Sequence, residues 1–557
     1  MFISALTNRT VRVGLAASLL ASCAPVALHA EPSLSEIAAQ IKALRDENRQ
    51  IKAENRQMKA AISDMRGESR RTREKVRAVA ERAPAALPAS FAAIPAGAAP
   101  TFVTADKKFQ FGSLTITPGG FIAAESAFRS RTEQVDIGSG YQNIPFGPQA
   151  GTNEFRFSAR QSRIAALIEA PISPTFLAAG YGEFDFLGSG ATSNLNESNS
   201  FVPRIRHLYA TLDANEYGLH VLAGQNWSLT TLNSKGITPR NEVTPPTIDA
   251  QYVPGFVWKR QPQIRVTKDF DKKLWLSLSV EQPQVTYTGC TTGVNGTTVA
   301  SNTGVGNLVT CDLGGNNNLN GTAVTNFSLN HVPDVVAKAA YEARIADRDV
   351  HFEGFGLYRD LYDRVAYTAG ATQVSASNQN TTGYGVGGGL IVPVLPRRLD
   401  FQASGMYGRG IGSYGTAQFT DATFNSNGSA APIREGMLLA GLTAHVTPSI
   451  DVYAFGGVEQ VQPDYYTSNA AGTTFAGYGA PNANNSGCFN EIVAATCAGN
   501  AKRVWQITGG MWDKLYKGTF GEVRAGLQYS YTERELFQGN GGGAVALPYA
   551  PRQNDQS

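Results

Sequence analysis

Between about Leu114 and Phe537 the chain repeats one pattern: runs of about ten residues in which apolar and polar side chains alternate, separated by connections that are alternately short and long. In the run from 523 to 532, Val523, Ala525, Leu527, Tyr529 and Tyr531 oppose Arg524, Gly526, Gln528, Ser530 and Thr532. In another, Leu274, Leu276, Leu278 and Val280 oppose Trp275, Ser277, Ser279 and Glu281. Ile264 and Val266 likewise oppose Lys259, Gln261, Gln263 and Arg265. Such a length and a period of two suit a tilted strand crossing a bilayer, apolar side to lipid and polar side to a lumen. Fifteen such strands begin near 114, 154, 176, 202, 219, 257, 273, 334, 349, 383, 398, 434, 449, 503 and 521.

Connection lengths separate a barrel from a soluble sandwich. Pro171–Pro174, Asp213–Gly218, Asp269–Lys272, Asp347–Asp349, Leu395–Arg397, Thr447–Ser449 and Lys517–Thr519 are short. Between them lie long connections: Ser130–Asn153, Trp227–Phe256, Gly289–His331, Asp360–Thr382, Gly410–Pro432 and Asp464–Lys502. Short turns on one side and long loops on the other mark a transmembrane barrel, here residues 107–557. Composition agrees. Only 17% of the 557 residues are charged, against about 25% in an average globular protein. No apolar stretch reaches the roughly 18 residues of a spanning helix. A net charge of +3 argues against a nucleic-acid partner, and 27 Phe, 21 Tyr and 5 Trp argue against disorder.

Residues 1–30 read as an export signal, with Arg9 and Arg12 basic, Val13–Leu20 apolar and Ala30 at a small-residue cleavage site. Leu20-Ala21-Ser22-Cys23 also fits a lipobox that would leave Cys23 acylated. Either reading exports the chain. Residues 31–83 read as a coiled coil of seven heptads, carried by Leu34, Ile37, Ile41, Leu44, Asn48, Ile51, Asn55, Met58, Ile62 and Met65 and ended by Pro84. Successive a-position Asn48 and Asn55 favour parallel, in-register copies, and Ile at d leans toward three or four strands. Residues 84–106 form an Ala/Pro linker. In an oxidising compartment Cys290 with Cys311, and Cys488 with Cys497, read as two disulfides stapling long loops.

An odd strand count conflicts with closure, because an unpaired edge in lipid leaves backbone groups unsatisfied. Residues 538–557 contain no alternating run long enough for a sixteenth strand: Val545–Ala550 is short and carries Pro548. The expectation is that a last strand is missing and the chain is truncated.

The stretch from Gly510-Met511-Trp512-Asp513-Lys514-Leu515-Tyr516 to Gly521, followed by Gly526-Leu527-Gln528-Tyr529-Ser530-Tyr531-Thr532, resembles DcaP-like trimeric outer-membrane porins. So do Ser158-Ala159-Arg160-Gln161-Ser162-Arg163 and Ala223-Gly224-Gln225-Asn226-Trp227-Ser228. The order of signal, coil, linker and barrel is similar too. This resemblance implies a sixteen-stranded barrel in the bacterial outer membrane, a homotrimer, a coil in the periplasm, and passive uptake of small, often anionic or dicarboxylic, solutes. The chain departs from the family where a final strand with an aromatic terminus is expected.

A pore performs no chemistry, so neither cofactor nor metal is implied; preference comes from charge at the narrowest point. Alternation places Arg156, Arg160, Arg204, Arg206, Lys259, Arg265, Lys338 and Arg524 on the lumen face, against fewer acids, Glu281, Glu342 and Asp400. That balance favours anions. The loop Trp227–Phe256, which follows strand five and is therefore the third external one, carries Lys235, Arg240, Glu242 and Asp249, stiffened by Pro239, Pro245, Pro246 and Pro254, and is expected to fold inward as a constriction. Arg240, Glu242 and Asp249 are expected opposite the arginines of strands two and four. Gly383-x-Gly385-x-x-Gly388 imitates a dinucleotide fingerprint but lies in a strand with no helix after it, so it reads as barrel wall. The scattered histidines show no metal spacing. The competing reading is a structural anchor tethered to the cell wall through the coil. A barrel enzyme would need a Ser-His pair, and no nucleophile is evident.

Overall fold

A computed structural model describes residues 101–103, 108–188, 202–288, 297–300, 307–312, 328–369, 372–468, 471–491, 496–518, 521–541 and 549–557. The signal, the coiled coil, the Ala/Pro linker up to residue 100 and Cys290 lie outside them. The main sheet contains β1 (Leu114–Phe121), β2 (Arg163–Pro171), β3 (Phe176–Asp185), β4 (Arg204–Ala214), β5 (Leu219–Trp227), β6 (Arg260–Phe270), β7 (Leu274–Glu281) and β8 (Asp334–Ile345). It continues through β9 (Arg348–Ala369), β10 (Thr372–Leu395), β11 (Leu399–Arg409), β12 (Arg434–His445), β13 (Ile450–Val461), β14 (Ala501–Gly518), β15 (Gly521–Leu536) and β16 (Arg552–Gln556). Each pairs antiparallel with the next in sequence. Fourteen of the fifteen expected strands run in this sheet, and the second enters it only from Arg163.

The distribution of exposure is that of a membrane barrel, inverted relative to a water-soluble protein. On β7, Leu276 and Leu278 are 45% and 53% exposed, whereas Ser279 and Glu281 on the other face are 0% and 1% exposed. Ile264 and Val266 of β6 and Leu527 and Tyr529 of β15 also face outward. Among the buried side chains are many polar ones, including Gln263, Arg265, Lys338, His351, Gln506 and Thr508. An apolar outer face loses nothing when its surroundings are lipid.

Four features correct the sequence reading. The tail does contain a strand: β16 pairs with Tyr531–Glu535 of β15, and the Ser130 amide donates to the Gln556 carbonyl (2.9 Å) on its other side. Its sequence, Arg-Gln-Asn-Asp-Gln, has no apolar alternation for pattern reading to detect. Toward the short-turn end, Gly521–Tyr529 of β15 has no second partner strand among the described residues, so the ring is not closed there. The segment expected as the long loop Asp360–Thr382 is instead mostly ladder, since β9 and β10 stay paired to Ala369 and Thr372. Its second half, Thr372–Thr382, is mostly Ser, Thr, Asn and Gln, which hides strand from a hydrophobicity criterion. Strand two is broken: Glu154–Ser158 pairs with Glu125–Arg129 in a separate hairpin, and the chain turns at Arg160 and Gln161 before β2. Finally, strand structure starts inside the expected linker, at Thr101–Val103, which pairs with Lys108–Phe111.

Candidate functional site: an inserted loop and the cations around it

Residues 228–259, between β5 and β6, run against inward-facing side chains around much of the sheet. The Leu229 amide donates to Glu281 of β7 (2.9 Å) and the Asn233 amide to Glu353 of β9 (3.0 Å). The Gly236 amide donates to Glu342 of β8 (2.6 Å) and the Gly255 amide to Glu459 of β13 (2.6 Å). The Trp512 indole of β14 donates to the Pro246 carbonyl (2.8 Å), and the Ile248 amide donates to Gln528 of β15 (2.7 Å). A segment held from β7 to β15 while anchored between β5 and β6 crosses the space the sheet curves around. Leu229, Leu232, Ile237, Val253 and Phe256 are buried in this arrangement. Glycines in the wall make room for it. A Cβ on Gly457 would stand 1.9 Å from the Pro254 carbonyl oxygen, and one on Gly389 would stand 2.7 Å from Leu232.

The expected lumen cations divide by partner. Lys338 is fully enclosed: its Nζ meets Glu353 (2.7 Å) and donates to the Thr231 carbonyl (2.7 Å) and Asn233 Oδ1 (2.8 Å). Arg265 donates to Gln263 and to the Trp227 carbonyl, with Glu242 at 4.0 Å. Both serve the loop and are shut away from open solvent. Arg206 is held by Glu183 (2.7 Å) and Asp185 (2.9 Å), and Arg204 by Asp185 in a fork. Arg156 pairs with Glu154 (2.8 Å). Arg160, displaced into the turn, pairs with Asp136 of the first long loop, and the inward position that alternation gave it falls to Arg163.

The remaining cations have no carboxylate at ion-pair distance among the described residues. Arg524 is exposed and lies over the Trp512 ring at 4.3 Å. Arg240, also exposed, donates to the Tyr209 hydroxyl (3.3 Å) and lies 6.0 Å from the Tyr181 ring. Lys235 is exposed at the loop surface. Lys259 precedes β6 and donates to the Gln284 carbonyl and the Ser413 hydroxyl, both at 2.9 Å. Its half-burial, with Arg359 nearby, pushes the ammonium down to about 8. Arg260, which sequence reading missed, lies between the Trp227 and Trp258 rings, 5.1 Å from each. Arg204, Lys259 and Arg260 line one cavity of about 450 Å³ with Gln225, Trp258 and Ser413.

The loop acids do not act as a group. Arg240 does reach the β3 and β4 wall. Glu242 instead accepts from Asn226 (3.2 Å) on β5, and burial raises its carboxyl despite Arg265. Asp249 accepts from the Ser139 amide (3.1 Å) of the first long loop. Cys488 and Cys497 form a disulfide within a long loop, as expected. Also missed were Glu353 and His351, central to the docking; two ordinary polar residues in a strand carry no signal of this in sequence.

No protein-family model and no curated protein matches the sequence. Among solved structures the chain is similar to the outer membrane channel DcaP of Acinetobacter baumannii, with a TM-score of 0.52 and 16% identity over 80% of this chain and 96% of that one. It superposes more loosely on the anion-selective porin from Comamonas acidovorans, with a TM-score of 0.39 and 11% identity over 80% and 97% of the two chains. For OmpF of Salmonella typhi the corresponding values are 0.36, 9%, 81% and 99%. The likeness to DcaP establishes the fold as that of an outer membrane channel, and the resemblance read from the motifs holds at that level.

Proposed function

We propose that this chain is a bacterial outer-membrane diffusion porin for small hydrophilic solutes, preferring anions of the dicarboxylate type. It acts as a homotrimer, with residues 31–83 forming a coiled coil in the periplasm. One observation carries the preference: around the inserted loop Arg240, Arg524, Lys235 and the adjacent Lys259 and Arg260 reach solvent with no carboxylate at ion-pair distance among the described residues. Acids that also lack a cation at that distance are enclosed at Glu281, Glu435 and Glu459, and half-buried at Glu125 and Asp249, which line one cavity with Arg524. A low-dielectric wall concentrates such a field in the water between. The test is single-channel conductance and reversal potential of purified protein in planar bilayers. Triplet conductance steps with anion selectivity are expected. Cation selectivity would overturn the charge argument, and silence from a correctly inserted barrel would favour the structural tether.

A further inference from the structure

His351 projects from β9 beneath the tip of the inserted loop and is buried. Its Nδ1 lies 2.8 Å from Glu342 Oε1 and its Nε2 3.1 Å from Glu353 Oε2. Those same two oxygens accept the loop amides of Gly236 (2.6 Å) and Asn233 (3.0 Å). Ionised carboxylates only accept hydrogen bonds, so an imidazole with a carboxylate at each nitrogen must donate from both and is therefore an imidazolium. A neutral ring would set one lone pair against a carboxylate. The charged groups around it are Glu342 and Lys338 of β8, Glu353 of β9, Arg265 of β6, and Lys235 and Glu242 of the loop. Lys338 pairs with Glu353, and Arg265 stands opposite Glu242. Losing the imidazolium charge would leave Glu342 with the exposed Lys235 as its cationic neighbour.

We infer that His351 is the positioning residue for the inserted loop: its protonated ring sets both carboxylates that grip residues 233–236, so the loop's hold on the wall is pH-dependent. Two other histidines provide a built-in comparison. His220 sits between Asp213 (2.7 Å) and Asp269 (3.0 Å), and His445 between Asp451 (2.7 Å) and Asp400 (3.2 Å). Both lie beside short turns, and their carboxylates hold no residue of 228–259 among the described contacts. The double clasp is thus common to three sites, and at His351 alone of the three it grips the loop.

The experiment compares open-channel fluctuations of wild type, His351→Gln, His351→Lys and His445→Gln between pH 6 and pH 9. Wild type is expected to be quieter at pH 6. His351→Gln, lacking the charge, should be noisy throughout; His351→Lys, charged throughout, should be quiet throughout; His445→Gln should keep the wild-type profile. A wild-type pH profile in His351→Gln, or its equal loss in His445→Gln, would overturn the inference. The inference builds on the channel reading, so a second measurement avoids conduction: a spin label on Lys235→Cys, with His351 intact. Its mobility should rise several-fold from pH 6 to pH 9, and unchanged mobility would sink the inference whether or not the barrel conducts.

Discussion

Lys338 and Lys259 both belong to the inner side of this barrel, yet the regions around them use a lysine in opposite ways. Beneath the loop, Lys338 has a carboxylate, a carbonyl and an amide oxygen around its ammonium and no contact with solvent. At the start of β6, Lys259 has two neutral acceptors and a cavity in front of it. A buried charge needs a paired partner and full hydrogen bonding, because desolvation otherwise outweighs attraction. A charge that is only half-buried, with a cavity before it, keeps one side open to a passing solute. Residue type and strand parity are the same in the two cases; enclosure by the loop is what separates the anchor from the charge to which the proposed function gives a part in selectivity.

The strongest way to break this comparison is Lys338→Met, which leaves the enclosed Glu353 with the His351 ring alone as its cationic partner among the described residues. Breaking a buried pair typically costs about 3–5 kcal/mol; the midpoint of unfolding from detergent should fall accordingly, with the loop detached and conductance raised. Next comes Gly457→Val. Its new side chain would collide with the Pro254 carbonyl, and overpacking of about 1–3 kcal/mol should push the loop from β13, read as raised conductance with the cations at the mouth untouched. At the mouth itself, Lys259→Gln should lower anion selectivity without measurable loss of stability. The same change should follow pH in wild type: an ammonium pushed down to about 8 is charged below that pH and neutral above it. Reversal potentials should therefore show anion preference declining between pH 7 and pH 9, and Lys259→Gln should remove that decline. The smallest effect is expected for Arg156→Gln. Arg156 is 38% exposed and shares Glu154 with the buried Arg129, so its loss should cost no more than about 1 kcal/mol in the same unfolding assay.

Much of the wall could be read from the sequence, because a lipid-facing strand has to write its period in apolar residues. Leu274 to Glu281 is such a case. What escaped reading lies where lipid imposes no pattern. The Ser/Thr/Asn/Gln-rich start of β10, and Arg552–Gln556, make ladders from residues that look like loop. Among the site residues, parity identified Lys338 and Arg265 as inward but could not say what would cover them, since that depends on a loop more than seventy positions earlier in the case of Lys338. Arg163 and Arg160 show the opposite limit: a turn of a few residues shifted the inward position from one to the other. Gly389 and Gly457 were visible only as strand glycines, whose meaning comes from Leu232 and Pro254.

The inserted loop also has a mechanical consequence. A tube made of one sheet resists stretching along its hydrogen bonds but flattens easily, because bending a sheet breaks none of them. Residues 228–259 leave the wall at β5, are fastened at β8, β9, β13 and β15, and rejoin it at β6. They act as a strut across the section, so lateral pressure from the bilayer is carried by compression of a packed segment instead of by ovalisation of the opening.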